Sequence, residues 1–241
     1  MRCPVPVLAI CVFGYQHIYL GNFYLNDRWY VPPRPAYTFS PQCTALTHII
    51  AQTWGAMVAS DGNHVHILSM GGTIDKDYPR LTAGYAFEYG HEPAASRILN
   101  THPNLGISFD VTSVCRKDSL DMSDLDRDLL FDAICEILAR WPQDSHHIRI
   151  VVTHGTDTMI KTAQYVQKRI SDNAVIAFTG ATKPERFVDS DASFNLGCAI
   201  AATSVCSAGA VIICMNGNVV PAGKCIRDEK SGLFIALTET K

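Results

Sequence analysis

The chain has 241 residues, 47% of them hydrophobic and 18% charged, with a formal net charge of −3. That length supports one good core and hardly two full-sized ones. The balance gives no electrostatic footprint for nucleic acid or an anionic membrane, and it suits a small polar or zwitterionic metabolite better than a polyanion.

Residues 1–63 contain no Lys and no Glu and are rich in Pro, Tyr and Cys. The apolar stretch Val5–Gly14 is too short for a bilayer, which needs about 20 residues. Arg2 ahead of it gives a likeness to a secretory signal. Pro6 inside it, Pro4 before it and the lack of a clean small-x-small cleavage site argue against one. The segment 1–63 reads as a poorly ordered extension, with a targeting remnant as the alternative, ahead of a domain over 64–241. The nine cysteines, Cys3, Cys11, Cys43, Cys115, Cys135, Cys198, Cys206, Cys214 and Cys225, form no C-x-x-C pair. They are expected to be reduced, mostly buried thiols in a cytoplasmic compartment rather than metal ligands.

From His64 onward, short apolar runs alternate with helical periods. Val65–Leu68, Ile148–Val152, Val175–Phe178 and Ala210–Cys214 have the partly β-branched character of buried parallel strands. Ser123 with Asp126 predicts an N-terminal cap, followed by a helix lined by Leu125, Leu129, Ala133 and Ile137. Met159, Ala163, Val166 and Ile170 line a second helix. Phe194, Cys198, Ala201, Ala202 and Val205 line a third. The alternation predicts a single doubly wound α/β domain, flavodoxin- or Rossmann-like, with a mostly parallel sheet. Ligands then bind at the carboxyl ends of the strands, so the loops after Leu68, Val114, Val152 and Phe178 matter most.

The first of these loops is Ser69-Met70-Gly71-Gly72-Thr73. Its glycines permit a sharp turn and close approach of a ligand, and Thr73 presents a hydroxyl at the sheet's rim. An ordinary strand-to-loop turn explains the pentapeptide equally well. No G-x-G-x-x-G or G-x-x-x-x-G-K-[ST] is present to support nucleotide binding. The segment Lys117–Asp124, with Asp118 and Ser119, reads by itself as a solvated loop leading to the Ser123 cap. Thr153-His154-Gly155-Thr156-Asp157-Thr158 runs from a strand into a helix, where free N–H groups and the helix dipole suit a carboxylate. Capping explains one of these residues but hardly the whole run, and His154 reads as structural rather than as a base.

Three of these loops together resemble the bacterial-type L-asparaginase family: Gly71-Gly72-Thr73-Ile74, Asp118-Ser119-Leu120-Asp121-Met122 and Thr153–Thr158. Thr179-Gly180-Ala181 and Asp191–Gly197 continue the likeness, which runs from about His64 to Phe234. The chain looks like a short, single-domain form equivalent to the family's N-terminal domain. The resemblance implies hydrolysis of L-asparagine to L-aspartate and ammonia, with L-glutamine as a second substrate and no cofactor or metal. By the same resemblance, Thr73 is the nucleophile toward the side-chain amide, in a site that includes Gly72. Thr156, with its neighbour Gly155, matches the family's second threonine, which belongs to a Thr-Asp-Lys group around the scissile bond. Asp157 binds the substrate's α-amino group and Ser119, next to Asp118, its α-carboxylate. The Ala181 carbonyl lies near the leaving nitrogen. Tyr78 falls where short members carry an activating tyrosine, with Tyr85 as a competitor.

One position departs from the family. Arg227 stands where the lysine belongs, and arginine keeps its charge but does not deprotonate in proteins. Two further readings follow: an amino-acid-binding protein with impaired turnover, and the ammonia-supplying module of an amidotransferase. A homo-oligomer that completes each pocket is expected, with no nucleic-acid or membrane partner.

Overall fold

The computed structural model describes residues 8–12, 18–22, 63–78, 87–140, 148–170 and 173–237. The chain divides into two compact units, Met1–Ala51 and Gln52–Lys241. In the first, β1 (Leu8–Val12) pairs antiparallel with β2 (Ile18–Asn22). Most of residues 1–63, on which the expectation of a poorly ordered extension falls, lies outside the described residues.

The second unit is built on β3 (His64–Gly71), β6 (Ser108–Lys117), β7 (Ile148–Thr153), β8 (Ala174–Thr179), β9 (Val211–Met215) and β10 (Asn218–Pro221). They form one sheet in the order β10-β9-β8-β7-β3-β6. Five strands run parallel, and β10 turns back antiparallel on β9. The chain leaves β3 for β6 on one side and returns to β7 on the other. Strand order therefore reverses between β3 and β7, which places the ligand crevice of such folds at their carboxyl ends.

Every residue of β7 and β8 is buried, because helices cover both faces of the sheet and neither face can be polar. Alternate residues of β3 sort into two layers. Val65 and Ile67 pack with α1 (Ala94–Asn100) and α4 (Ala192–Val205). Leu68 and Met70 pack with α2 (Asp124–Arg140) and α3 (Met159–Gln167). Two small antiparallel pairs complete the unit: β4 (Lys76–Asp77) with β5 (Glu88–Tyr89), and β11 (Cys225–Arg227) with β12 (Phe234–Ala236).

The sequence placed α2, α3 and α4 but not α1, and it rotated the faces of α2 and α4. The capping box forms: Ser123 N and Oγ both donate to Asp126 Oδ2 at 2.8 Å. However, Leu125 and Leu129 are 74% and 53% exposed, and Leu130 and Ile134 face the sheet instead. A strict four-residue recurrence drifts around a helix of 3.6 residues per turn, so it does not mark one straight face. Arg127 fixes the true face. Its buried guanidinium donates to Thr162 Oγ1 on α3 and to Asp124 Oδ1. In α4, Phe194 and Val205 are exposed, and Leu196, Ala199 and Ile200 are buried. The α3 face of Met159, Ala163 and Val166 is buried as expected.

The six described cysteines are free, but only Cys214 and Cys225 are buried and Cys135 is exposed. The expectation of mostly buried thiols is thus corrected: Cys115, Cys198 and Cys206 sit at the rims of the two layers, where a small side chain is half covered. Burial pushes the Cys225 thiol up to about 11. No described helix is long and apolar enough to cross a membrane.

Candidate active site

The carboxyl ends of β3, β6 and β7 deliver three turns to one place. β3 is followed by Gly72, at φ 82° and ψ −175°, which caps a 3-10 turn over Thr73–Asp75. The Gly72 N–H donates to the Lys117 carbonyl at 2.9 Å, which holds this turn against the end of β6. A second 3-10 turn spans Ser119–Asp121, capped by the Asp118 carboxylate on the Leu120 N–H. After β7, Thr158 Oγ1 donates to the Ser119 carbonyl at 2.8 Å and ties the third turn to the second.

These turns meet through glycine backbones. A Cβ on Gly72 would lie 2.3 Å from the Gly155 nitrogen, and one on Gly155 would lie 2.6 Å from Ser119 Oγ. Any side chain would separate the loops. Ser119 is buried, and its Oγ has no hydrogen-bond partner among the described residues. A buried hydroxyl left unpaired costs free energy, which a ligand at this point would recover.

Around this junction, Thr73 and Thr156 are half-buried and Asp157 is exposed. Thr156 and Asp157 lie in the turn before α3, with Thr158 as its N-cap, rather than in the helix's first turn. Arg227 Nη1 donates to Asp157 Oδ1 at 2.9 Å, so the departing residue and the expected ammonium-binding carboxylate form a pair. The Asp118 carboxylate is taken by Lys76 Nζ at 2.7 Å, which with the Leu120 N–H holds it below the usual carboxylate range. Tyr78 is 60% exposed and packs near Phe87 and Phe187, with ring centroids 5.6 and 5.9 Å away. Tyr85 lies outside the described residues. Ala181 is buried just past β8. Its loop is shaped by Asp191, which accepts from Thr182 N, and by Asn195, whose Nδ2 donates to the Gly180 carbonyl. The Asp191–Gly197 motif therefore acts on the site through this loop.

Two groups escaped sequence reasoning. Asp75 is buried and accepts from Ser69 Oγ at 2.7 Å and from Ala94 N at 2.6 Å, tying the Thr73 turn to α1. Burial raises its pKa. Tyr89 places its buried hydroxyl beside the Gly72 backbone, and burial, then the charges of Asp118, Asp75 and Asp121, push it up to about 12. Asp75 adjoins the glycine turn and was within reach of the sequence. Tyr89 reaches the site through the β4–β5 pairing, which two-residue strands do not announce.

His154 is fully buried, and its Nδ1–H donates to the Gly155 carbonyl at 2.8 Å. Burial pushes its pKa down to about 4, so it is neutral at pH 7. A histidine near 6.5 when unfolded and near 4 when folded binds more protons unfolded. Its contribution is fully present above about pH 6.5 and is lost as pH falls toward 4, by up to about 3 kcal/mol. Urea denaturation at stepped pH is expected to show this loss, and His154→Gln to flatten it.

These features form a candidate site at the switch point of a doubly wound α/β domain, with Thr73, Ser119 and Thr156 on the turns that meet there. The chain belongs to the asparaginase family: the model for "Asparaginase, N-terminal" matches residues 64–233. It is 28% identical over 164 residues to a glutamyl-tRNA(Gln) amidotransferase component from Archaeoglobus fulgidus, covering 64% of this chain and 35% of that protein. It is 26% identical over 176 residues to the glutaminase-asparaginase of Acinetobacter glutaminasificans, covering 72% of this chain and 51% of that one. The thermostable L-asparaginase of Thermococcus kodakarensis shares the fold at a TM-score of 0.61 and 19% identity, over 72% of this chain and 51% of that one. The chain thus spans about half the length, or less, of these relatives.

Proposed function

We propose that this chain is an amidohydrolase that converts L-asparagine to L-aspartate and ammonia, with L-glutamine as a second substrate. The observation that carries the reading is the buried, unpaired Ser119 hydroxyl at the junction of Gly72 and Gly155. In this reading Ser119 takes the substrate's α-carboxylate and Asp157 its α-amino group. Thr73 Oγ attacks the side-chain amide carbon, Gly72, Gly155 and Thr156 line the scissile bond, and the Ala181 carbonyl faces the leaving nitrogen. A neutral threonine needs a proton relay. Tyr78 is one candidate, and Tyr89, already beside Gly72, is another. Asp118, held by Lys76, lines the carboxylate site beside Ser119. The free thiols of the six described cysteines fit a cytoplasmic setting, and a homo-oligomer would complete each pocket.

Arg227 donates to Asp157, so its part is electrostatic: it orients Asp157 and supplies charge. Arg227→Ala is expected to lower kcat/KM for ammonia release from L-asparagine by about 10–100-fold, the scale of a charged hydrogen bond. Arg227→Lys is expected to stay within about tenfold of the parent. An unchanged Arg227→Ala enzyme would remove the residue from the site.

A second reading is favoured by the likeness to an amidotransferase component: the same chemistry would supply ammonia to a partner. Amide hydrolysis that requires a partner protein would favour it.

A further inference from the structure

At the opposite end of β3 from Thr73, three side chains converge that the amidohydrolase reading does not use. His64 and His66 stand two residues apart on one strand and so project from the same face. Asp110 on the neighbouring β6 is the direct register partner of His66. The His66 Nδ1–H donates to Asp110 Oδ1 at 3.0 Å, and His64 Nε2 lies 3.8 Å from Asp110 Oδ2. The other ring nitrogen of His64, Nδ1, is held by Ser108 Oγ at 2.8 Å. The two imidazole rings lie 4.6 Å apart edge to face.

The sequence offered no C-x-x-C pair, and no metal was expected. The three-dimensional arrangement points the other way, and we propose that His64, His66 and Asp110 form a binding site for a borderline divalent transition ion such as Zn2+. Their donor atoms all lie within 4.8 Å of one another. A tetrahedral ion with bonds of about 2.0–2.1 Å sets its ligands roughly 3.3 Å apart, so small side-chain movements close the site. Two imidazole nitrogens and one carboxylate oxygen suit zinc, nickel or copper, and are a poor set for the hard ions Ca2+ and Mg2+, which take oxygen ligands. Ser108 serves as the outer partner that fixes the orientation of a metal-bound imidazole. Without an ion, two imidazoles share one carboxylate. With one, both nitrogens and the carboxylate have a common positive centre.

The site is open on one side: Asp110 is 57% exposed at the edge strand β6, while His66 is only 8% exposed. A fourth position is therefore available to water. Its distance from the catalytic turn, roughly 20 Å along the strand, separates it from the amide chemistry. The bound ion would clamp the edge strand to β3.

The test uses the full, reduced chain titrated with Zn2+ alone by calorimetry, and with Co2+ by visible absorption. The expected result is one equivalent bound and a tetrahedral Co2+ spectrum, with Mg2+ giving no heat. Even outer partners of metal ligands are worth about 10–100-fold in affinity. His64→Gln and Asp110→Asn, both at partly exposed positions, are therefore each expected to weaken binding by more than about tenfold. Circular dichroism checks that both variants keep the fold, and His66→Gln adds a third ligand test if it folds. Absence of stoichiometric uptake by the parent would overturn the proposal. So would uptake unchanged in folded His64→Gln and Asp110→Asn, which would place the ion on the chain's cysteines or elsewhere.

Discussion

Gly72→Ala is expected to destabilise the second unit by roughly 2–6 kcal/mol and to abolish whatever the site does. Two independent costs add. The Gly72 backbone, at φ 82° and ψ −175°, occupies a region open essentially to glycine, and forcing another residue there costs about 1–3 kcal/mol. The new methyl would also meet the Gly155 nitrogen at 2.3 Å and its Cα at 2.4 Å. Neither is a flexible side chain that can swing aside, and overpacking of that kind costs a further ~1–3 kcal/mol. Relief can come only by parting the β3 and β7 turns, which moves Thr73 away from Thr156. Urea denaturation of the variant measures the first effect, and ligand titration of any folded fraction the second. A variant as stable and as active as the parent would mean that the two turns do not meet as described.

The contact also shows what the sequence could and could not reveal. Doubled glycines after a predicted strand pointed to a tight turn, and the alternation of apolar runs with helical periods pointed to the doubly wound sheet. Both were legible because they are local: backbone permissiveness at Gly71-Gly72 and full burial along β7 and β8 leave their marks in adjacent residues. The rotation of α2 was not. Leu125 and Leu129 look like core residues until Arg127 is seen to reach Thr162, a partner 35 residues away. Lys76 with Asp118, Asp157 with Arg227, and the His64–His66–Asp110 cluster likewise depend on which strands lie side by side. No pattern within one segment encodes them. Among the candidate site residues, Gly72, Ser119 and Gly155 converge through their motifs' own turns. The position of Tyr89 needed the fold.

Thr73→Ala is expected to lower amide hydrolysis by at least about 10³-fold while leaving the fold intact. Loss of a nucleophile removes the covalent route altogether, and enzymes so altered keep only what binding and oxyanion stabilisation provide. Thr73 is half-buried at the start of its turn, and alanine is compatible with the 3-10 conformation, so stability should change little. In the proposed mechanism, Thr73 attack forms an ester and expels ammonia. Water then cleaves the ester, so one oxygen of the product carboxylate must come from solvent. The measurement that tests this account most directly is incubation of the full chain with L-asparagine in 18O-labelled water, followed by mass spectrometry of the amino acid. The account predicts L-aspartate carrying one heavy oxygen in its side-chain carboxylate with the parent protein, and unreacted asparagine with Thr73→Ala. Asparagine and glutamine left intact by the folded parent, or labelled product formed equally by Thr73→Ala, would contradict it.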